Sequence, residues 1–359
     1  PRFVDLFIFK VDHSPPAKSS SKTARSSDRG RMIDLKYEQI DEARRCVSAV
    51  APQTPVVRSA ALGEASGAQV FLKLENLLEP VGSFKLRGAF NRMSLLTEEE
   101  KRRGVVTASA GNHGQAVAYC ASLSGVDAVV FMPVNTPKIK AESVGRFGAG
   151  IRLEGADYDD AERRAHKFER ESGRVFIHPF YDTAVMAGQG TVALELMEQT
   201  GGVDVIVVPV GGGGLACGCA VAAKDLNPNI RVIGVQPETS APFVESKKAG
   251  RRVESPIGDS LADALTGEII ADDMFELFDS LVDEAAAVSE AALADAVYMM
   301  LKRHGIAVEG GGAAGVAALL GGIPGVAGKR VAVIVTGRGI DPSALAKIIR
   351  EKENVYNTG

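Results

Sequence analysis

A lysine that follows a glycine and a serine is the first feature of this sequence that indicates chemistry. Residues 82–88 read GSFKLRG, and Lys85 lies just inside the predicted start of a helix. Because the N-terminus of a helix disfavours a cation, we expect a lowered pKa for Lys85. A lysine that is readily neutral is the kind that forms imines with carbonyl groups. Taken alone, this motif is equally typical of a surface lysine at a helix start.

A run of glycines indicates a phosphate site. Residues 204–210 (DVIVVPV) predict a strand buried on both faces. Four glycines follow it directly: Gly211, Gly212, Gly213 and Gly214. Their backbone N–H groups, together with the N-terminus of the next helix, can surround an anion. A dinucleotide site would need an acidic residue at the end of the next strand, and that strand ends at Gln236.

Two further turns carry polar side chains at strand ends. Residues 109–115 read SAGNHGQ, and their free N–H groups with Ser109 and Asn112 could seat a carboxylate. His113 is either a general base or a structural hydrogen-bonding residue. Thr336 directly follows a predicted strand, where open α/β sheets bind ligands, although a tight turn explains it as well.

The elements that must position these residues alternate along the chain. Strands are predicted at 70–74, 104–107, 127–132, 175–177, 204–210, 231–235, 286–288 and 330–335, with helices between them. This alternation predicts an α/β protein with parallel sheets and helices on both faces. A length of 359 residues suits either one large domain or two lobes.

Composition excludes several kinds of partner. The net charge of −4 gives no basis for binding nucleic acid or an anionic membrane. No apolar run reaches the roughly 20 residues that span a bilayer. The four cysteines are too few and too scattered for a disulfide framework, and Cys217 and Cys219 lack the spacing of a metal site. We therefore expect a cytoplasmic protein without a metal centre.

The first 31 residues differ from the rest. Residues 15–31 are rich in Ser, Lys and Arg and have no apolar period, so they cannot bury enough surface to fold. We interpret residues 1–31 as a disordered leader or as a segment from outside the natural coding sequence. A transit peptide is the alternative, although Asp5 and Asp12 disfavour it.

Together the motifs resemble one enzyme family. The sequences GSFKLRGA (82–89), SAGNHGQAVA (109–118), MPVNTPKIK (132–140) and VGGGGL (210–215) resemble the fold-type II pyridoxal-phosphate (PLP) enzymes, in their serine/threonine dehydratase (threonine ammonia-lyase) and serine racemase branch. The resemblance implies a two-lobed fold like that of the tryptophan synthase β subunit, with PLP between the lobes. It also implies a large domain (32–100 and 182–359), a small mobile domain (101–181) and a homodimer.

The resemblance implies a role for each motif residue. Lys85 would form the Schiff base with PLP and move the α-proton, while Phe84 would pack against the pyridine ring. Asn112 would bind the phenolic oxygen of the cofactor. The residues expected to hold the phosphate are Gly211, Gly212, Gly213 and Gly214. The residues expected around the carboxylate of an amino-acid substrate are Ser109, Ala110, Gly111, Asn112 and His113.

Two positions predict the reaction. Thr336 would meet the pyridine nitrogen, and a hydroxyl there makes the ring a weaker electron sink than a carboxylate would. Early loss of a β-substituent is then favoured, which predicts dehydration and deamination of a β-hydroxy amino acid such as L-threonine or L-serine. Racemisation needs a second acid/base, and the position where racemases of the branch have serine is Ala110. Dehydration is therefore favoured over racemisation.

Some positions depart from the branch. Gln236 replaces a glutamate that helps to bind a structural cation, so we expect no metal there. The ending Thr336-Gly337-Arg338-Gly339 is closer to threonine synthases, which keeps a replacement reaction as an alternative. Arg338 could tune the cofactor, bind an acidic substrate or point to solvent. Glu79 stands where a neutral residue is common, and Glu309 has either a cofactor-related or a structural role.

Overall fold

The structure is a computed structural model that describes residues 8–10, 33–267 and 271–357. Apart from residues 8–10, the predicted leader at 1–31 lies outside the described residues. The strands are β1 (Ile8–Lys10), β2 (Val56–Ser59), β3 (Gln69–Leu74), β4 (Val105–Ala108), β5 (Ala128–Met132), β6 (Gly150–Leu153), β7 (Val175–Phe176), β8 (Val205–Pro209), β9 (Arg231–Pro237), β10 (Glu284–Val288) and β11 (Arg330–Val335).

Helices connect most of these strands. They are α1 (Tyr37–Val47), α2 (Ala60–Ser66), α3 (Lys85–Ser94), α4 (Glu98–Arg103), α5 (Asn112–Ser124), α6 (Lys138–Gly145), α7 (Tyr158–Ser172), α8 (Thr183–Thr200), α9 (Gly214–Leu226), α10 (Pro242–Ala249), α11 (Asp272–Leu281), α12 (Glu290–His304), α13 (Gly310–Leu320) and α14 (Pro342–Asn357). No helix in the described part of the chain is long and apolar enough to cross a bilayer.

The larger sheet has the strand order β1-β10-β9-β8-β11-β3-β2. Its five inner strands are parallel, and only the edge strands β1 and β2 run antiparallel. Every residue of β8 is buried, because one helix layer covers each face of the sheet. This confirms the prediction of parallel strands between helices, and β2 is an antiparallel edge that the sequence pattern did not predict.

The smaller sheet has the order β6-β5-β4-β7 and is parallel throughout. Its side chains alternate between two faces, as the pleat requires. Val129 and Phe131 of β5 pack toward α7, whereas Val130 and Met132 pack toward α5 and α6. The sheet spans residues 105–176, within the range proposed for the small domain.

Helix α3 connects the two sheets. Its residues Leu86, Ala89 and Met93 are buried against Val117 and Cys120 of α5. Helices α8 and α9 also pack closely, since a Cβ on Gly218 would lie 2.4 Å from the carbonyl oxygen of Met186. The carboxyl ends of β3, β4, β8, β9 and β11 each lead into a predicted motif, which is where parallel α/β sheets form ligand sites.

Candidate active site

The loops after β3 and β11 place Lys85 beside Thr336. The two strands are parallel neighbours, so both loops leave the same edge of the sheet. The backbone N–H of Phe84 donates to the carbonyl oxygen of Thr336 at 3.2 Å, and that of Arg338 donates to the carbonyl oxygen of Gly82 at 3.1 Å. Motifs about 250 residues apart in the sequence thus form a single backbone-paired unit.

Lys85 is the first residue of α3, and its amine lies inside the site. Its Nζ donates to the carbonyl oxygen of Pro179 at 2.8 Å and lies 5.3 Å from the centre of the Phe84 ring. Burial lowers the pKa of Lys85 to about 8, and the carboxylate of Glu309 opposes that shift. The sequence correctly predicts that the pKa of Lys85 is lowered, but the dominant cause is burial rather than the helix terminus.

The glycine run forms a tight loop at the N-terminus of α9. Gly213 has a φ of 87°, a left-handed conformation that favours glycine. A Cβ on Gly212 would lie 2.3 Å from the ring of Phe180, and one on Gly214 would lie 2.8 Å from its carbonyl oxygen. Backbone N–H groups and a helix N-terminus without side chains suit a phosphate group. The residues present therefore fit the phosphate end of PLP.

The turn between β4 and α5 contains the residues predicted to surround the substrate carboxylate. The hydroxyl of Ser109 accepts a hydrogen bond from the backbone N–H of Gly111 at 3.2 Å. Ala110 and Gly111 are partly exposed, and α5 begins at Asn112. Free N–H groups at the start of a 13-residue helix are suited to binding a carboxylate.

His113 is buried in this turn as a neutral ring. Its Nε2 lies 3.0 Å from the carbonyl oxygen of Ile177, so that nitrogen carries the proton and donates. Burial lowers the pKa of His113 to about 3, with a further contribution from the charge of Lys85. Its buried Nδ1 has no hydrogen-bond partner within the described residues.

Glu309 connects the carboxylate turn to the loop of Thr336. The Asn112 side chain donates to both carboxylate oxygens of Glu309, at 2.8 and 3.1 Å. One of these oxygens also accepts from the backbone N–H of Gly339 at 2.9 Å. Burial raises the pKa of Glu309, while its hydrogen bond from Asn112 opposes the rise. Its only sequence signal is its position before three glycines and a helix.

The two unusual charges of the site bind each other. The guanidinium of Arg338 contacts both carboxylate oxygens of Glu79, at 2.6 and 2.9 Å, and both side chains are solvent-accessible. The sequence left the role of Arg338 open between cofactor, substrate and solvent. Because its donors bind Glu79, the pair explains both departures with one contact.

Gln236 caps a helix. Its side-chain oxygen accepts from the backbone N–H groups of Phe243 and Val244, at 2.9 and 3.3 Å, at the start of α10. Because this oxygen already accepts from two N–H groups, whose partial positive charge repels a cation, the position is unsuitable for a metal ion. Across the part of the chain that the structure describes, no group of three or more His, Cys, Asp or Glu side chains could hold a metal ion. The four cysteines are free thiols, three of them buried.

A buried ionic cluster next to the site was missed by the sequence analysis. Arg87, two residues after Lys85, binds the carboxylates of Glu75 and Glu195, and Lys73 also binds Glu195. The cluster fixes α3 against β3 and α8, and so fixes the helix that carries Lys85. The sequence analysis assigned no role to these four residues, because their separation in the sequence gives no sign that they meet.

The geometry defines an α/β enzyme with a partly buried lysine beside a glycine phosphate loop, and comparison with known proteins identifies its family. The model of the pyridoxal-phosphate dependent enzyme family matches residues 47–337. The chain belongs to this family, and its cofactor is PLP.

Individual relatives narrow the comparison. The chain is 43% identical to an L-threonine ammonia-lyase of Thermotoga maritima over 320 residues, which cover 89% of this chain and 79% of the relative. It is 36% identical to a catabolic L-threonine dehydratase of Staphylococcus aureus, with coverage of 89% and 93%. The structure of maize serine racemase superposes with a TM-score of 0.83 and 34% identity, over 90% of this chain and 99% of the racemase. These similarities confirm the fold-type II interpretation.

Proposed function

We propose that this protein is a PLP-dependent ammonia-lyase that converts a β-hydroxy amino acid, such as L-threonine or L-serine, into a 2-oxo acid and ammonia. The main observation behind this proposal is that the Lys85 amine lies close to the glycine loop. Lys85 Nζ is 2.8 Å from the carbonyl oxygen of Pro179, and the next residue, Phe180, lies against that loop. The similarity to the L-threonine ammonia-lyase of Thermotoga maritima supports the reaction.

PLP, when bound, supplies an electron sink for the carbon that carries the amino group. We assign Lys85 to moving the α-proton, because burial lowers its pKa to about 8 and a useful fraction is neutral near that pH. The β-hydroxyl leaves as water, and hydrolysis of the resulting enamine then gives ammonia and the 2-oxo acid. Phe84, whose ring lies beside the Lys85 amine, is assigned to packing against the cofactor ring.

We assign substrate orientation to the turn of residues 109–113. The partial positive charge at the start of α5 attracts a carboxylate. Asn112 is assigned to the cofactor's phenolic oxygen, and its bond to Glu309 fixes its side chain. Thr336 is assigned to the pyridine nitrogen; its loop is paired with the backbone of Phe84.

Racemisation is the second candidate, because of the similarity to maize serine racemase. Ala110 has no group that could protonate the face of the substrate opposite Lys85. We therefore expect 2-oxo acid formation to exceed D-serine formation by at least about tenfold, which corresponds to about 1.4 kcal/mol of barrier difference.

We further propose a homodimer in the cytoplasm, with residues 101–181 as a mobile small domain. The resemblance to the dehydratase branch supports the dimer and the closing motion. Free cysteines are compatible with a reducing compartment. Sedimentation of the full chain tests the dimer.

The proposal is tested by measuring 2-oxobutanoate and ammonia released from L-threonine. We expect equal amounts of both from the wild type, and an absorption band of bound PLP that is lost in Lys85→Ala together with the activity. Lys101→Ala, which removes a surface lysine paired with Glu98, is the matched control. A Lys85→Ala variant that keeps the band would contradict the assignment of Lys85.

A further inference from the structure

One bent segment, residues 177–181, contacts three parts of the candidate site: His113, Lys85 and the glycine loop. The carbonyl oxygen of Ile177 accepts from His113, and that of Pro179 accepts from Lys85. The ring and backbone of Phe180 lie against the glycine loop at Gly212 and Gly214. This segment therefore lies against both the amine and the phosphate loop. We call residues 177–181 the site wall.

His178 shapes the turn of the site wall. Its Nδ1 accepts from the backbone N–H of Tyr181 at 2.8 Å and from that of Phe180 at 3.2 Å. Its ring also packs edge-on against the ring of Phe180, with the ring centres 4.6 Å apart. A single side-chain atom thus satisfies two backbone donors that face inward in the turn.

The surroundings keep Nδ1 available as an acceptor. An imidazole that accepts a hydrogen bond at Nδ1 is uncharged and carries its single N–H proton on Nε2. Nε2 faces the carboxylate of Glu162 at 3.9 Å, which favours a proton on that nitrogen. Burial, together with the charges of His166 and Lys85, lowers the pKa of His178 to about 3. The ring is neutral at physiological pH.

We propose that His178 is a positioning residue of the active site, whose Nδ1 holds the site wall in the shape that brings the Pro179 carbonyl to Lys85 and the Phe180 ring to the glycine loop. The role deepens the proposed function, on which it rests for its meaning in catalysis. It predicts that PLP affinity depends on an acceptor at the position of Nδ1.

The test compares replacements that keep or remove this acceptor. His178→Asn places a side-chain oxygen near the position of Nδ1, and asparagine readily accepts from backbone N–H groups two residues on. His178→Leu keeps bulk without an acceptor. His304→Leu is the matched control. His304 contacts Ser59, which lies beside the first residues of β3 and so at the end of the larger sheet opposite the site.

Two measurements report on the wall without using activity. The first is PLP affinity, from spectroscopic titration of the full chain after cofactor removal. The second is amide hydrogen exchange of residues 180–182 in the holoenzyme, since Pro179 has no backbone N–H. We expect His178→Leu to weaken PLP binding and to speed exchange about tenfold, the effect of losing one or two net hydrogen bonds. His178→Asn should stay within about threefold of the wild type, as should His304→Leu.

Either of two results would overturn the role of His178. The first is a His178→Leu variant with the PLP affinity and the amide exchange rates of the wild type. The second is a His178→Asn variant that loses as much PLP affinity as His178→Leu does. If His178→Leu does not fold, His178→Gln replaces it, because its acceptor lies one carbon too far, and the expectation is unchanged. Neither measurement uses a substrate. A wild type that releases no 2-oxo acid would therefore refute the proposed function and leave the result on His178 standing.

Discussion

Replacing Arg87 by methionine tests how the helix that carries Lys85 is held. The Nε and Nη2 atoms of Arg87 bind Glu75 at 2.7 and 2.9 Å, and Nη1 and Nη2 bind Glu195 at 2.7 and 2.9 Å. All three side chains are buried. Methionine fills a similar space but leaves two carboxylates without their shared cation.

The magnitude follows from the partners that remain. Glu195 keeps Lys73 at 2.6 Å, whereas Glu75 keeps the hydroxyl of Thr54 at 2.6 Å and has Lys73 only at 3.9 Å. Breaking a buried ion pair costs about 3–5 kcal/mol in folding free energy. Since domains have about 5–15 kcal/mol in total, we expect a large loss of stability for Arg87→Met.

The loss should depend on pH. Burial raises the pKa of Glu75, but the charges of Arg87 and Lys73 outweigh it and hold that pKa below its usual value. In the wild type the lowered pKa of Glu75 therefore contributes stability that is lost as pH falls through the folded-state pKa. Without Arg87, burial dominates and the pKa rises above the usual value, so that the variant loses stability as pH rises through it. The penalty should be larger at about pH 8 than at about pH 5.5.

Urea denaturation of the holoenzyme at both pH values, followed by circular dichroism, measures this penalty. Arg45→Met is the control, because Arg45 is 80% exposed and its pair with Asp41 at 3.5 Å is worth at most about 1 kcal/mol. A penalty for Arg87→Met below about 1 kcal/mol, or one that is equal at both pH values, would refute the reasoning.

Three further predictions concern the site itself. The rate at which PLP reacts with the cofactor-free protein should rise with pH through about 8 and then level off, because burial lowers the pKa of Lys85 to about 8. Stopped-flow absorbance measures this rate, and a rate that keeps rising toward the usual lysine pKa of about 10.4 would be inconsistent with a buried amine. Gly212→Ala should weaken PLP binding at least about tenfold, since its Cβ would lie 2.3 Å from the Phe180 ring, whereas Gly145→Ala, with its nearest neighbour at 3.8 Å, should leave the dissociation constant unchanged. A double-mutant cycle on Arg338 and Glu79 should give a coupling of about 1 kcal/mol or less in thermal unfolding, and Arg338→Ala should leave KM for L-threonine within about threefold; a tenfold rise in KM would show that Arg338 contacts the substrate.

Much of the fold was predictable because its signals are local. The runs at 204–210 and 330–335 are apolar on both faces, and they form β8 and β11 at the centre of the larger sheet. The glycine run was informative as well, since the left-handed φ of Gly213 favours glycine. The short edge strand β2, with an exposed arginine in the middle, has no such pattern and was missed.

The contacts between distant residues were not predictable. Glu79 and Arg338 appeared as two separate departures, because only the pairing of the loops after β3 and β11 brings them together. Of the site wall, only Ile177 was included in a predicted element, as the last residue of the strand at 175–177. The contacts of the site wall with Lys85 and the glycine loop arise from tertiary packing, and a single sequence carries no signal for such contacts.

The most direct test of the account is the release of 2-oxo acid from a panel of substrates. The panel contains L-serine, L-threonine, both 3-hydroxyaspartate diastereomers, phenylserine and O-phosphohomoserine. We predict rapid 2-oxo acid formation from L-threonine or L-serine, and slow or no reaction of 3-hydroxyaspartate, because Arg338 is bound to Glu79. Threonine formed from O-phosphohomoserine, with no 2-oxo acid from any β-hydroxy amino acid, would contradict the lyase assignment and show that residues 336–339 mark a replacement enzyme.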